Sequence, residues 1–177
     1  MATLLLNKDF TGRWNVSNNK FGEQDFEDYM EQLQPEILKD LMGCSLYALF
    51  EADLVAQPDG RYVPQSLEFL NIYDEICTTN TLTTCCTDKH KSYGMVDMLK
   101  CMIRFYWLRD QKYKQTVSGT SIMDSENSVV IKSTHYGLTK QFNRGIESYH
   151  SIQCYMHKHE SDYPKYSPTK KELATWL

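Results

Sequence analysis

The chain has 177 residues, of which 41% are hydrophobic and 24% charged, with Lys+Arg 19 against Asp+Glu 23 for a formal net charge of −4. That length suits one domain able to bury a core without staples. The acidic balance argues against a general nucleic-acid or membrane-surface binder, and no apolar run is long enough to span a bilayer.

The first six residues are an apolar stretch too short for a signal-peptide h-region and without a basic n-region. This favours a cytoplasmic protein in which Cys44, Cys77, Cys85, Cys86, Cys101 and Cys154 stay reduced. The glycosylation sequon Asn15, Val16, Ser17 is then irrelevant. Residues 10–17 read as a first strand, with Phe10 and Trp14 on one face. Residues 23–42 read as helical. Phe26, Tyr29, Met30 and Leu33 form one apolar stripe, and Asp25, Glu27 and Asp28 sit near its start. Pro35 breaks that pattern and starts a second helix with Ile37, Leu38, Leu41 and Met42 on its apolar face, closed by Gly43.

Residues 45–56 and 61–73 are apolar runs flanking Pro58, Asp59 and Gly60, and a hairpin is the natural reading, with a helix through 45–55 as the alternative. Residues 78–92 look like a loop or edge strand. Residues 95–109 fit a helical stripe through Met95, Met98, Leu99, Met102, Ile103 and Tyr106, but the aromatic run from Ile103 to Leu108 suits a strand, so 95–108 stays open. Residues 112–123 and 127–136 are β-prone and joined by a polar turn, and 146–158 return as a last strand. Pro164 and Pro168 mark an extended tail, and Thr169 with Glu172 caps a short C-terminal helix ending at Trp176 and Leu177.

Several clusters could carry chemistry. Cys85, Cys86 and His90, or Cys154, His157 and His159, offer soft and imidazole ligands to zinc, but neither has a CxxC knuckle, so core cysteines and surface histidines are the simpler reading. No Gly-x-Ser-x-Gly, phosphate loop or His-Glu-x-x-His is present, which leaves enzyme activity a minority reading and implies no cofactor. Arg104 to Arg109 mixes aromatics with arginine, with Lys112, Lys114, Lys132, Lys140 and Arg144 downstream. On a sheet this could stack single-stranded bases, but the usual explanation is a central strand with aromatic core residues and charged ends, and the negative net charge favours that reading. Ser167, Pro168, Thr169 and Lys170 resemble a proline-directed phosphorylation site.

Residues 9–33 resemble the start of the intracellular lipid-binding proteins, the fatty-acid- and retinoid-binding β-barrels of the calycins. The matching positions are Phe10, Gly12 and Trp14, followed by Phe26, Glu27, Asp28, Tyr29 and Met30. The resemblance implies a closed barrel around one apolar ligand, capped by a helical lid. Where that family holds a carboxylate with Arg-x-Tyr, this chain has Gln153 and Tyr155, which would suit a neutral ligand. The match departs from the family by an insertion through residues 18–22 and by the greater length of the whole chain.

The resulting expectation is an α+β fold, predominantly an antiparallel sheet that closes as a barrel, with an N-terminal helix pair. Residues 1–159 would form one globular domain and 160–177 an extended tail with a short helix. The expected function is non-catalytic binding of a small apolar ligand lined by Phe10, Trp14, Tyr29, Met30, Gln153 and Tyr155. The alternative is a cytoplasmic interaction or structural protein that self-associates or docks a protein partner. Neither reading calls for nucleic acid.

Overall fold

The computed structural model describes residues 3–16, 20–74, 92–111, 113–116, 119–122 and 133–167. Helices dominate it. In chain order, two 3-10 turns (Asn7–Asp9 and Gly12–Trp14) precede α1 (Lys20–Met42) and α2 (Cys44–Asp53). A short hairpin of β1 (Leu54–Ala56) and β2 (Tyr62–Pro64) leads to α3 (Leu67–Tyr73). Then come α4 (Gly94–Gln111), a second hairpin of β3 (Tyr113–Thr116) and β4 (Gly119–Ile122), and α5 (Ser133–Lys158).

The expected barrel, and with it the calycin-like architecture, is overturned. The described strands form two separate two-stranded antiparallel hairpins, with Val55 opposite Val63 in one and Tyr113 opposite Ile122 in the other. Residues 10–16, the described part of the expected first strand, are not a strand, because Asp9 Oδ2 accepts the Leu6 N–H at 2.9 Å and Gly12 turns the chain at φ +59°. Phe10 and Trp14 are still buried, reached through two tight turns instead of an alternating strand.

Pro35 lies inside one continuous α1 and does not divide it. A mid-helix proline costs on the order of 3 kcal/mol. Burial of Phe26 and Met30 before it, and of Ile37, Leu38, Leu41 and Met42 after it, opposes that cost. The helical alternative holds for residues 45–53 as α2, while 54–56 and 62–64 pair as a short version of the expected hairpin around the turn at Gly60, with φ +89°, and residues 67–73 form α3. The ambiguous 95–109 segment is helical throughout as part of α4. Residues 146–158 are the end of α5 and not a strand: Phe142, Ile146, Tyr149, Ile152 and Met156 are buried at spacings of three and four, the helical period. Both strands of the second hairpin come from within 112–123, and residues 133–136 of the other β-prone stretch belong to α5. The expectations for 78–91 and for the helix after Thr169 fall outside the described residues.

A single apolar cluster joins all five helices. Phe10, Phe26, Trp107 and Tyr29 meet edge to face in sequence, at centroid distances of 4.9, 5.1 and 5.2 Å. Buried Gln34 interrupts the apolar stripe of α1 for a specific purpose. Its Oε1 accepts the N–H groups of Leu4 and Leu5 at 3.1 and 3.0 Å, docking the N-terminal segment on the helix. At the other end of the chain, residues 163–167 fold back over the bundle. The Tyr163 hydroxyl donates to Glu68 O at 2.6 Å, and the Ser167 N–H donates to Met42 O at 3.2 Å. Ser167 passes so close to the α1–α2 joint that a Cβ on Gly43 would lie 2.5 Å from its carbonyl oxygen.

Candidate ligand-binding groove

The most extensive contact between elements is that of α4 with α5. Tyr93 meets Ser148, Cys101 meets Gly145, and the Phe105 ring lies tilted on Phe142 at 4.3 Å, so the partner positions fall along α5 as they rise from the start of α4 and the helices run antiparallel. Gly145 permits the close approach, because a Cβ there would sit 2.8 Å from the Cys101 Cβ.

Beside this apolar seam runs a polar strip. Gly137, Lys140, Arg144 and Glu147 recur at helical spacing on α5. With Arg13, Trp14, Tyr93, Thr139, Gln141 and Asn143 they line a groove of about 670 Å³. Local structure fixes its walls. Gly94, at φ +82°, lets the chain turn into α4 past Tyr73, and the Tyr93 N–H is held by the Ser148 hydroxyl at 3.2 Å. The 3-10 turn at Gly12–Trp14 sets Arg13 over the Trp14 ring at 4.6 Å. Arg144 lies over the Tyr93 ring at 3.7 Å.

Asp97 is the hub of the charges. Its two carboxylate oxygens accept from Arg144 Nε and Nη2 at 3.0 and 3.2 Å, a bidentate pair, and Arg13 stands 3.6 Å away. Cys101 Sγ donates to the same carboxylate at 3.7 Å; burial first, and the charge of Asp97 second, push that thiol's pKa well up and keep it protonated. One turn further along α4, Arg104 donates from Nη1 to Gln141 Oε1, while its buried Nε finds no partner among the described residues. Burial lowers the Arg104 pKa.

Of the six expected ligand residues, only Trp14 lines this groove. Phe10 is packed edge-on against Phe26. Met30 is buried beside a separate cleft of about 340 Å³ that includes Lys8, Glu27, Glu31 and Asp59. Tyr29 borders a third cleft, of about 380 Å³, with Tyr106 and Arg109; its hydroxyl donates to Asp110 at 2.7 Å, and burial followed by that bond drives its pKa up. Gln153 donates to Leu41 O at 3.5 Å, and its own carbonyl accepts the Tyr166 hydroxyl. Tyr155 stacks on His159 at 4.2 Å. The structure therefore divides the six among different surroundings, most of them structural.

The histidine cluster is likewise engaged locally, His157 with Glu160 at 2.9 Å and His159 Nδ1 with Tyr155 O at 2.9 Å. Cys154 is disulfide-bonded, against the expectation of reduced cysteines. Among the described residues no group of three or more His, Cys, Asp or Glu is placed to hold a metal ion. Cys85, Cys86 and His90 lie outside them. The aromatic–arginine run 104–109 is helical, so its side chains part: Arg104 meets α5, while Arg109 pairs with Asp110 at 2.7 Å and lies over Tyr106.

Sequence reading missed Arg13, Tyr93, Asp97 and Gln141. A signal was present in the i, i+4, i+7 spacing of Lys140, Arg144 and Glu147, matched by Asp97 and Arg104 seven apart. It becomes visible only once 133–158 is read as a helix. Among the described residues no helix is long and apolar enough to cross a membrane. In comparisons with protein-family models, with curated proteins and with solved structures, nothing matches this chain.

Proposed function

We propose that the protein is a non-catalytic binding module and that the α4–α5 groove takes its small ligand. The observation that carries this reading is the pair of arginine–aromatic stacks, Arg144 on Tyr93 and Arg13 on Trp14, anchored from behind by one carboxylate, Asp97. Such stacks present rigid, flat, partly polar walls around a volume suited to a small molecule. The charged groups behind them are paired or stacked, an arrangement that suits holding a ligand more than moving a proton. The charged and amide side chains among the lining residues, Arg13, Lys140, Gln141, Asn143, Arg144 and Glu147, direct the reading towards a ligand with polar groups, where a barrel would have favoured an apolar one. A cytoplasmic location belongs to the same reading, and the disulfide at Cys154 is the feature that pulls against it.

Native mass spectrometry on protein purified from cells, before and after organic extraction, tests the proposal. A removable mass of a few hundred daltons, on the scale of molecules that fill such sites, is expected, and its retention should fall in Arg144→Ala. A clean apo mass that gains nothing from a cell extract would count against it.

A second reading, docking of a protein partner or self-association, is favoured by the exposure of Leu49, Val55 and above all Leu67, which is 70% exposed. Light scattering showing a dimer that Leu67→Lys dissolves would move the reading there.

A further inference from the structure

We propose that the ligand of this groove is a small anion bearing phosphate or carboxylate groups, and that Arg104, acting through Gln141, is the positioning residue that tunes the groove for it. This rests on the groove being the ligand site.

The charge count comes first. Among the described residues, three cations (Arg13, Lys140 and Arg144) and the carboxylate of Glu147 line the groove, with Arg104 and Asp97 directly behind them on Gln141 and Arg144, four cations against two carboxylates. That local excess of two positive charges sits on a chain whose net charge is −4. Asp97 is committed to Arg144 through both of its oxygens, so its neutralising capacity is spent there. Arg13, at the margin of that pair, keeps a side chain that is 57% exposed.

Arg104 supplies the second line of argument. A half-buried guanidinium is ordinarily matched with a carboxylate, since an unbalanced charge is costly to desolvate. Here its partner is a neutral amide oxygen, and among the described residues its Nε has no acceptor. The bond also fixes the sense of the Gln141 side chain. With Oε1 turned to Arg104, what Gln141 has left to offer is its amide N–H pair. Next to Arg13 and Lys140, that makes this wall of the groove one of donors. An anion seated against it would bring the negative charge that Arg104 lacks, while a cationic ligand would be repelled.

The experiment uses the full chain at low ionic strength, with inorganic pyrophosphate and citrate as separate probes and ribose as the neutral comparator, each followed by calorimetric titration. Binding of pyrophosphate alone identifies a phosphate ligand, and binding of citrate alone a carboxylate one. Gln141→Glu gives Arg104 its missing carboxylate inside the protein. It should keep the fold, raise the melting temperature and weaken anion binding by about tenfold or more, as expected for removing a charge-assisted contact. Arg104→Met, the second variant, should weaken it comparably. The proposal is overturned if neither anion binds, or if Gln141→Glu binds as tightly as the parent. Should native mass spectrometry find a neutral molecule in the groove that the anions do not displace, the groove stands as the ligand site and the anion class falls. Should nothing bind by either method, both fall.

Discussion

Arg61 and Arg104 are both partly buried arginines, yet they sit in regions with opposite electrostatic logic. At the hairpin corner, Arg61 Nη2 meets Asp9 at 2.7 Å and its Nε lies 3.5 Å from Asp59, which Lys8 also approaches to 3.3 Å. Nearby, a single oxygen of Asp53 accepts from the Gln65 N–H, the Ser66 N–H and the Ser66 hydroxyl, tying the end of α2 to the start of α3. Arg61 Nε, like that of Arg104, makes no hydrogen bond among the described residues, yet Arg61, Lys8, Asp9 and Asp59 each lie beside an opposite charge of the protein. Behind the wall of the α4–α5 groove, Arg104 ends on the Gln141 amide. On the proposal made above, the contrast separates charges that hold the fold from charges kept open for something outside it.

The largest expected effect lies beneath the groove, at its apolar floor. In Gly145→Val the new side chain would begin 2.8 Å from the Cys101 Cβ and 3.2 Å from the Met102 Cγ, with the α4 backbone just behind. Forcing the two helices apart should cost about 3 kcal/mol, the upper range for overpacking, and would appear as a lower urea midpoint. A loss below about 0.5 kcal/mol, the size of a surface change, would mean that the helices are free to shift, and the groove walls with them.

Arg61→Met comes next. Asp9 has a side chain only 10% exposed and would lose its closest cation. Full loss of a buried partner costs on the order of 3–5 kcal/mol. Because the Arg61 side chain is 26% exposed and water can partly replace it, about 2 kcal/mol is the reasonable expectation. Asp9→Asn combined with Arg61→Met should recover much of the loss, since the stranded charge goes too. No recovery in the double variant would break the reading of this corner as a closed charge network.

These regions differed in how far the sequence disclosed them. The apolar stripe of α1 was legible from Phe26, Met30 and Leu33, and the turn at Gly60 from Pro58, Asp59 and Gly60, because periodicity and turn chemistry are local. The sheet-dominated fold was misread because Tyr149, Ile152 and Tyr155 are β-prone residues by composition, while their helical order shows only over several turns, from Phe142 to Met156. Phe10 and Trp14, read as one strand face lining a ligand, are both buried in the core, and their i, i+4 spacing fits two tight turns as well as a strand. The groove itself joins residue 13 with residues 93–104 and 137–147. No local pattern announces such a meeting, and the lone Gln141 carries no signal until its partner is known.

The smallest effect on stability is the most informative one. Arg104→Met keeps much of the length and packing of the side chain while removing a charge that, among the described residues, has no carboxylate to answer it. If Arg104 were structural in the manner of Arg61, the variant would lose a comparable 2 kcal/mol or so. If the guanidinium is held for a ligand, its removal relieves a desolvation cost and gives up one bond to a neutral acceptor, two terms that nearly cancel. The free protein should then change by less than about 1 kcal/mol, with stabilisation the expected direction. Paired urea titrations of Arg61→Met and Arg104→Met decide the point, because the same chemical change is made to two partly buried arginines whose surroundings differ chiefly in the presence of a carboxylate. Equal losses would put Arg104 among the residues that hold the bundle together. A loss at Arg61 beside a gain at Arg104 would mean that the protein carries an unbalanced charge at some cost to its own stability, which is expected only where something outside the chain completes the pair.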